Sequence, residues 1–322
     1  MECAVVIHTE EEFDWNGGFN RFNDNVSHHT QFTTTVKQLV DIGAKVTLAL
    51  DYAFINNLQG RQAIEELVGL ASPNIEFASH LHPWVTPPFS ESDSEGNVDE
   101  YHTFAGNLAR DLEFAKLKTL TDAIEALTHH APTTYLAGRY GIGKNTYEIL
   151  HALGYKTDIS PSAFSDFTSI GGPDFSSTTN GHYIKQGIEV FPHSSAFLSV
   201  VAPLANYLNK KPELFARIQS SPPLKLLGKI ARLKKLRFSP EGVPIYELKR
   251  IYSRLQQTGH QHLILSLHSS SLKSGLTPYS TGNTAADIGE STVEIMTWLL
   301  NNNKVTPSLV SEFSRLEKAN ND

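Results

Sequence analysis

"VVIHTEEEFDW", residues 5–15, joins a buried-type run with two valines and an isoleucine to a histidine, and then to four acids, Glu10, Glu11, Glu12 and Asp14. The β-branched run reads as a strand. The acids that follow it repel one another unless something positive meets at least one of them. In a parallel α/β barrel the loops after the strand C-termini form the active face, so a strand ending in acids raises the question of what waits there.

Working outward, short apolar runs alternate with amphipathic stretches, the pattern of strand-helix units. Strands are expected at 4–8, 45–50, 75–78, 135–137, 156–159, 187–191 and 263–268. Helices are expected near 29–42, 60–70, 105–129, 144–153, 212–236, 244–258 and 285–302. Several strands end on reactive or charged groups: His8, Asp51, His80, Arg139, Asp158 and His268. The stretch 87–100, PPFSESDSEGNVDE, reads as an exposed loop. The whole chain, 1–322, is expected to form one barrel domain with a basic helical insertion at about 205–240.

With 322 residues, 40% of them hydrophobic and 19% charged, the chain can bury a large core. A net charge of −7 excludes general nucleic-acid binding, which needs a basic face. The single cysteine, Cys3, excludes a disulfide framework and a thiolate zinc site, so any metal must sit on His, Asp and Glu. The sequence starts without a secretory signal pattern and has no long apolar run, and a cytoplasmic protein is expected.

One segment departs from the acidity. Lys210 to Arg237 carries nine Lys or Arg against Glu213, a net +8 that leaves −15 for the remainder. With its leucines the segment reads as a basic amphipathic helix, suited either to packing on the barrel with its lysines in solvent or to peripheral contact with the inner face of a membrane.

Chemistry concentrates in three further stretches. In "IEFASHLHPWVTPP", 75–88, His80 and His82 stand two apart at a strand end and face the same side. Neutral imidazoles suit zinc, and Glu10 is the natural carboxylate to complete a three-ligand site, which would also offset the acidic cluster. "LILSLHSSSLKSGLTPYSTG", 263–282, presents His268 at the end of an apolar strand. Ser269 to Ser271 lack nucleophile-elbow context and read as turn hydroxyls. In "YLAGRYGIGKNTYEILHALGYKTDIS", 135–160, the glycines match neither nucleotide-loop pattern. Arg139 there suits orienting a carboxylate or holding a substrate oxygen.

Together these strings resemble the polysaccharide deacetylase (NodB-like) family of carbohydrate esterases, and within it the O-antigen and capsule-cluster branch. The strings are "IHTEEEFDW", "HLHPWVTPP", "GRYGIG", "GGPDFS" at 171–176, "SPEG" at 239–242 and "HSSSLKSGLTPY" at 268–279. The resemblance covers about 5–300 and implies a distorted (β/α)7 TIM-like barrel. It also implies a divalent metal, commonly Zn2+, held by Glu10, His80 and His82. Residue 8 takes the position of the general base, Arg139 that of its orienting partner and His268 that of the acid. Trp84, Tyr140, Asp174, Phe175 and Tyr279 are expected against the substrate, an acetylated sugar or glycan precursor linked to a nucleotide or a lipid.

The sequence departs from the family pattern at residue 8, which is His instead of Asp. Three readings of His8 stand: a neutral imidazole base, an additional metal ligand, or the mark of a barrel that binds without turnover. The expected reaction is hydrolysis of an N-acetyl (or O-acetyl) group, with His8 or Glu11 taking a proton from water and His268 giving one to the departing amine. Oligomeric state is left open.

Overall fold

The computed structural model describes residues 1–89, 95–280, 284–301 and 304–314, with backbone alone for 284–287. The first half runs β1 (Glu2–Thr9), α1 (His29–Asp41), β2 (Val46–Leu50), α2 (Tyr52–Asn56), α3 (Leu58–Gly69), β3 (Ile75–Leu81), α4 (Arg110–Thr128), β4 (Thr134–Ala137) and α5 (Thr146–Ala152). Short strands follow: β5 (Thr157–Asp158), β6 (Ser165–Asp166), β7 (Asp174–Phe175), β8 (Tyr183–Lys185), β9 (Ile188–Val190) and β10 (Ser195–Leu198). The chain ends with α6 (Ala202–Lys210), α7 (Glu213–Ser220), α8 (Pro222–Ile230), β11 (Lys234–Arg237), α9 (Ile245–Gln257), β12 (His262–His268), α10 (Thr284–Leu300) and β13 (Thr306–Pro307).

Seven parallel strands, in the order β12-β1-β2-β3-β4-β5-β9, make a curled sheet, with β8 added antiparallel on β9 and β13 pairing the start of β1. This is a distorted (β/α)7 barrel. The seven are the strands the apolar runs predict. The distortion lies between β9 and β12, which share no ladder among the described residues. There the Phe238 carbonyl accepts from Ser266 N–H and the Ser194 hydroxyl from Ile264 N–H. Along the same seam His182 stacks on Phe191, and His262 meets Phe191 edge to face.

Both faces of β1 are buried, as a parallel strand between helices and barrel interior requires. Cys3, Val5 and Ile7 face the helical layer, in one core with Phe32, Leu39, Leu48 and Leu265. Ala4 and Val6 face the interior with Ala49, Ala78, Leu136 and Ile264. Residue 8 continues that inward series by the period of two, which aims an imidazole at the barrel mouth.

The helix expected over 212–236 does not form as one element. It breaks at Ser221-Pro222-Pro223 into α7 and α8, and 234–237 turns into β11, which pairs antiparallel with β10. The prolines explain the break, since neither can donate the backbone bond a continuing helix needs. The loop expected at 87–100 and the helix expected to reach 302 each fall partly outside the described residues. Among the described residues no helix is long and apolar enough to cross a membrane.

Candidate active site

Strand register assembles the floor of the site. His8 on β1 is paired directly with His268 on β12, and with Ala49 on β2. His80 on β3 pairs with Leu136 on β4. Because all these strands are parallel and their inner faces alternate with period two, His8 and His268 reach the inner face in register with Ala49 and Ala78, and His80 follows one inward position beyond Ala78. Glu10 and Glu11 follow just past the end of β1, and His82 just past β3.

Glu10, His80 and His82 converge, although 70 residues separate the carboxylate from the nearer imidazole. Glu10 Oε2 lies 3.3 Å from His80 Nε2 and 3.4 Å from His82 Nε2. Each imidazole is fixed by its other nitrogen. His80 Nδ1–H donates to the Leu136 carbonyl at 3.1 Å, and His82 Nδ1–H donates to Glu11 Oε2 at 2.9 Å with Asp51 Oδ2 at 3.3 Å. Both Nε2 atoms therefore aim at one carboxylate oxygen, and two lone pairs facing an anion need a proton or a cation between them. His82 shows that demand. Burial alone would push its pKa down, but the Glu11 charge and the Asp51 and Glu11 hydrogen bonds hold it well above the ordinary value. A donor set of two oriented imidazoles and one carboxylate fits a first-row divalent cation. Two groups among the described residues have ligand atoms all close enough for one ion, His8-Glu10-His80 and Glu11-Asp51-His82, and the Glu10–His82 contact bridges one to the other.

The four acids of the opening stretch thus find separate partners. Glu10 meets the two imidazoles. Glu11 accepts from His82 and, at 2.8 Å, from Trp84 Nε1. Glu12 accepts from Ser27 N–H at 2.5 Å and contacts His28; burial opposes its ionisation, yet these bonds hold its pKa down to about 2. Asp14 accepts from the backbone of Asn16 and Gly17 in a turn.

His8 is held by His193, a residue the sequence reading missed. The two Nε2 atoms are 3.2 Å apart. His193 Nδ1–H donates to the Ile159 carbonyl at 2.7 Å, and burial followed by the Arg237 charge pushes its pKa down to about 3. A neutral ring whose Nδ1 carries the hydrogen accepts at Nε2, so His8 must donate from Nε2 and keep its lone pair on Nδ1. Burial, then the charges of His268, His80 and His193, hold His8 well below its ordinary pKa. It is an uncharged imidazole.

His268 is the opposite case. Its Nδ1–H lies 3.0 and 2.9 Å from the two oxygens of Glu241, and Ser271 donates to the same carboxylate. Burial works against its charge, but the Glu241 and Glu10 charges and the Glu241 hydrogen bond raise its pKa to about 9. Glu241 lies in the SPEG string, where an acid in a turn gave no spatial signal. His193 stands two residues past Phe191, on the same inward phase, and that phase was the available clue. The turn hydroxyls also have work: Ser269 Oγ accepts from the Glu10 N–H at 3.1 Å and bonds His28.

Three expectations are corrected. Arg139 lines the cavity, but its guanidinium donates to Glu100 and Thr103 and lies over Phe19 and Phe104; its described hydrogen bonds do not include residue 8, which His193 orients instead. Glu11 is engaged at both oxygens by His82 and Trp84, so it orients a neighbour and is not free to take a proton from water. Asp174 and Phe175 do not line the cavity. They pair with β6, where Asp174 accepts from Ser176 N–H and Phe175 packs into the interior core.

The cavity, about 310 Å³, is lined by His8, Glu10, His80, His82, His268 and a wall of aromatic side chains. Trp84, Tyr140 and Tyr279 belong to that wall, and Phe13, Trp15 and Phe19 join it. Rings follow one another outward from His82 through Trp84, Phe19 and Phe13 to Trp15, at centroid separations of 4.2 to 5.0 Å. Arg139 and Tyr140 both have positive φ, 54° and 61°, a strained turn that brings Tyr140 to the mouth.

No family model matches this sequence, and no curated protein matches it. Solved structures do match its fold. A 4-alpha-glucanotransferase from Thermococcus litoralis superposes with a TM-score of 0.53 at 10% identity, over 97% of this chain and 40% of its own. The GH57 branching enzyme TK1436 from Thermococcus kodakaraensis gives 0.50 at 10%, over 98% and 71%. The chain thus spans two-fifths of the glucanotransferase's length. These likenesses show the barrel and nothing of the chemistry. A putative polysaccharide deacetylase from Mycobacterium smegmatis is similar over 98% of this chain and 94% of its own, at 12% identity and a TM-score of 0.45, too distant a likeness to carry functional weight.

Proposed function

We propose that the protein is a metal-dependent carbohydrate deacetylase acting on an acetylated sugar or glycan precursor, as the resemblance of its motifs to the NodB-like family implies. The observation that carries this reading is the convergence of Glu10 Oε2 on both Nε2 atoms of His80 and His82, each imidazole fixed from behind. Glu10, His80 and His82 would hold the cation. A bound divalent ion such as zinc supplies a water of lowered pKa and polarises an acetyl carbonyl.

The remaining roles belong to the chain. His8 accepts the proton of the attacking water at Nδ1, the nitrogen its bond to His193 leaves free. The water oxygen bonds to the acetyl carbon. His268, kept protonated by Glu241, gives its Nε2 proton to the nitrogen as the carbon–nitrogen bond breaks, releasing acetate and a free amine. The aromatic wall from Trp84 outward, with Tyr140 and Tyr279, stacks on pyranose rings. The precursor is nucleotide- or lipid-linked, in surface-polysaccharide biosynthesis inside the cell.

The alternative reading is a barrel that binds the glycan without turnover. Glycoside hydrolysis has less support, since it needs carboxylates on both sides of the bond, whereas the carboxylates lining the cavity, Glu10 and Glu11, adjoin each other. The test is acetate release from N-acetylated nucleotide sugars by wild type and His8→Asp. Release by wild type supports the enzyme. Release by the variant alone means a degraded enzyme, and release by neither, with glycan still bound, the binding barrel.

A further inference from the structure

The segment between β10 and β11 leaves its apolar residues facing outward. Leu214, Phe215, Ile218 and Leu233 pack into a small satellite core with Phe164, Phe197 and Leu208. Helix α8 contributes little to it. Gly228 is its one buried residue, while Leu224, Leu226, Leu227 and Ile230 are 43%, 60%, 59% and 68% exposed. At 100° per residue Pro223, Leu226, Leu227 and Ile230 fall in one stripe opposite the side that Gly228 presents to Ile218 and Leu233, and Lys225 and Lys229 form the flank. Lys225, Lys229 and Arg232 are exposed.

We infer that α8 is a membrane-docking helix which seats on an anionic phospholipid surface, its leucine stripe entering the headgroup boundary and its lysines meeting lipid phosphates. Charge selects this occupant. Lys225, Lys229 and Arg232 are exposed on and beside the helix, whereas Lys234 pairs with Glu247, Lys235 donates to the Phe164 carbonyl and Arg237 turns inward to Tyr140. The formal charge of the Lys210–Arg237 segment is +8 and the remainder's −15, so an anionic surface attracts the helix and repels the body. A free phosphate compound would need no leucines, and a purely apolar partner would need no cations. An interfacial helix uses both, an apolar ridge beside a basic flank. The prolines that split the expected helix serve the same end. They free α8 to turn its apolar stripe to solvent while α7 fills the satellite core.

The inference stands apart from the chemistry of the cavity, and its test reads no turnover. The full chain is mixed with vesicles of phosphatidylcholine alone, or of phosphatidylcholine with roughly one-third phosphatidylglycerol, and floated on a density gradient. Wild type should float with the anionic vesicles, not with the neutral ones, and should be released by high salt. Leu226→Glu/Ile230→Glu and Lys225→Glu/Lys229→Glu should each lower the bound fraction at least tenfold. These positions are exposed, so melting temperatures should match wild type. Three results overturn the inference: no flotation of wild type, equal flotation with neutral vesicles, or retention of binding by both variants. A dimer in sedimentation that Leu226→Glu/Ile230→Glu dissolves, without vesicle binding, would make the stripe a self-association surface and overturn it too.

Discussion

At and beneath the floor of the cavity lie two histidine pairs with different surroundings. His80 and His82 both face the Glu10 carboxylate, with Glu11 and Asp51 behind His82 and the Leu136 carbonyl behind His80. His8 and His193, whose rings begin 5.1 Å away from His80, face Arg237 and the protonated His268. In the first pair, against burial, Glu11 and Asp51 hold His82 well above its ordinary pKa, while burial and the His82 charge push His80 down; in the second pair both rings are pushed down. Two pairs of one side-chain type, at the ends of separate parallel strands of one barrel, are thus set to different tasks by which charges the adjacent loops deliver. On the proposed reading a cation sits on the Glu10 side, and a neutral proton acceptor on the other.

The largest effect that can break this contrast is expected at the first pair. His80→Ala or Glu10→Gln should abolish metal binding and lower acetate release by about a thousandfold or more, while His8→Ala should lose activity and keep its metal. Loss of metal in His8→Ala, read by elemental analysis, would move His8 to the ligand side. Next, His193→Ala frees His8 to adopt either tautomer. A fall in kcat of about 10- to 100-fold with KM unchanged is expected, and an unaltered kcat would remove His193 from the account.

Gly138 tests how closely the first pair is held. A Cβ there would sit 2.5 Å from the Leu81 carbonyl oxygen and 2.6 Å from His82 Cδ2, so Gly138→Ala must displace His82. Metal affinity should fall about tenfold, measured by competition with a chelator. The smallest effect at neutral pH concerns Glu241. His268 has a raised pKa, so its protonated form, and the stability it lends through Glu241, is complete below its ordinary 6.5 and lost as pH rises through about 9. Glu241→Gln removes the raising charge and should bring the alkaline limb of activity down to 6.5 or below. The loss is then slight at pH 6, about fourfold at pH 7 and larger at pH 8, whereas a merely structural role would shift all three alike.

Where the sequence carries period-two burial, it was readable. All seven parallel strands follow from apolar runs, and Glu10, His80 and His82 could be grouped because a strand end with acids and another with H-x-H need each other. Contacts made by loops were not readable. Glu241 reaches His268 from a turn 27 residues upstream, and Arg139 turns to Glu100 because its left-handed backbone aims the side chain along the rim. The α7–α8 break was written in Pro222-Pro223, but helical periodicity continued across it and masked the turn.

The central claim is one divalent cation among Glu10, His80 and His82. Anomalous diffraction at the zinc edge, from crystals grown with zinc and with metal stoichiometry measured on the same sample, tests it most directly. The account predicts one peak per chain, between the Glu10 carboxylate and the Nε2 atoms of His80 and His82. No peak, or a peak on the Nδ1 side of His82 between Glu11 and Asp51, would contradict it.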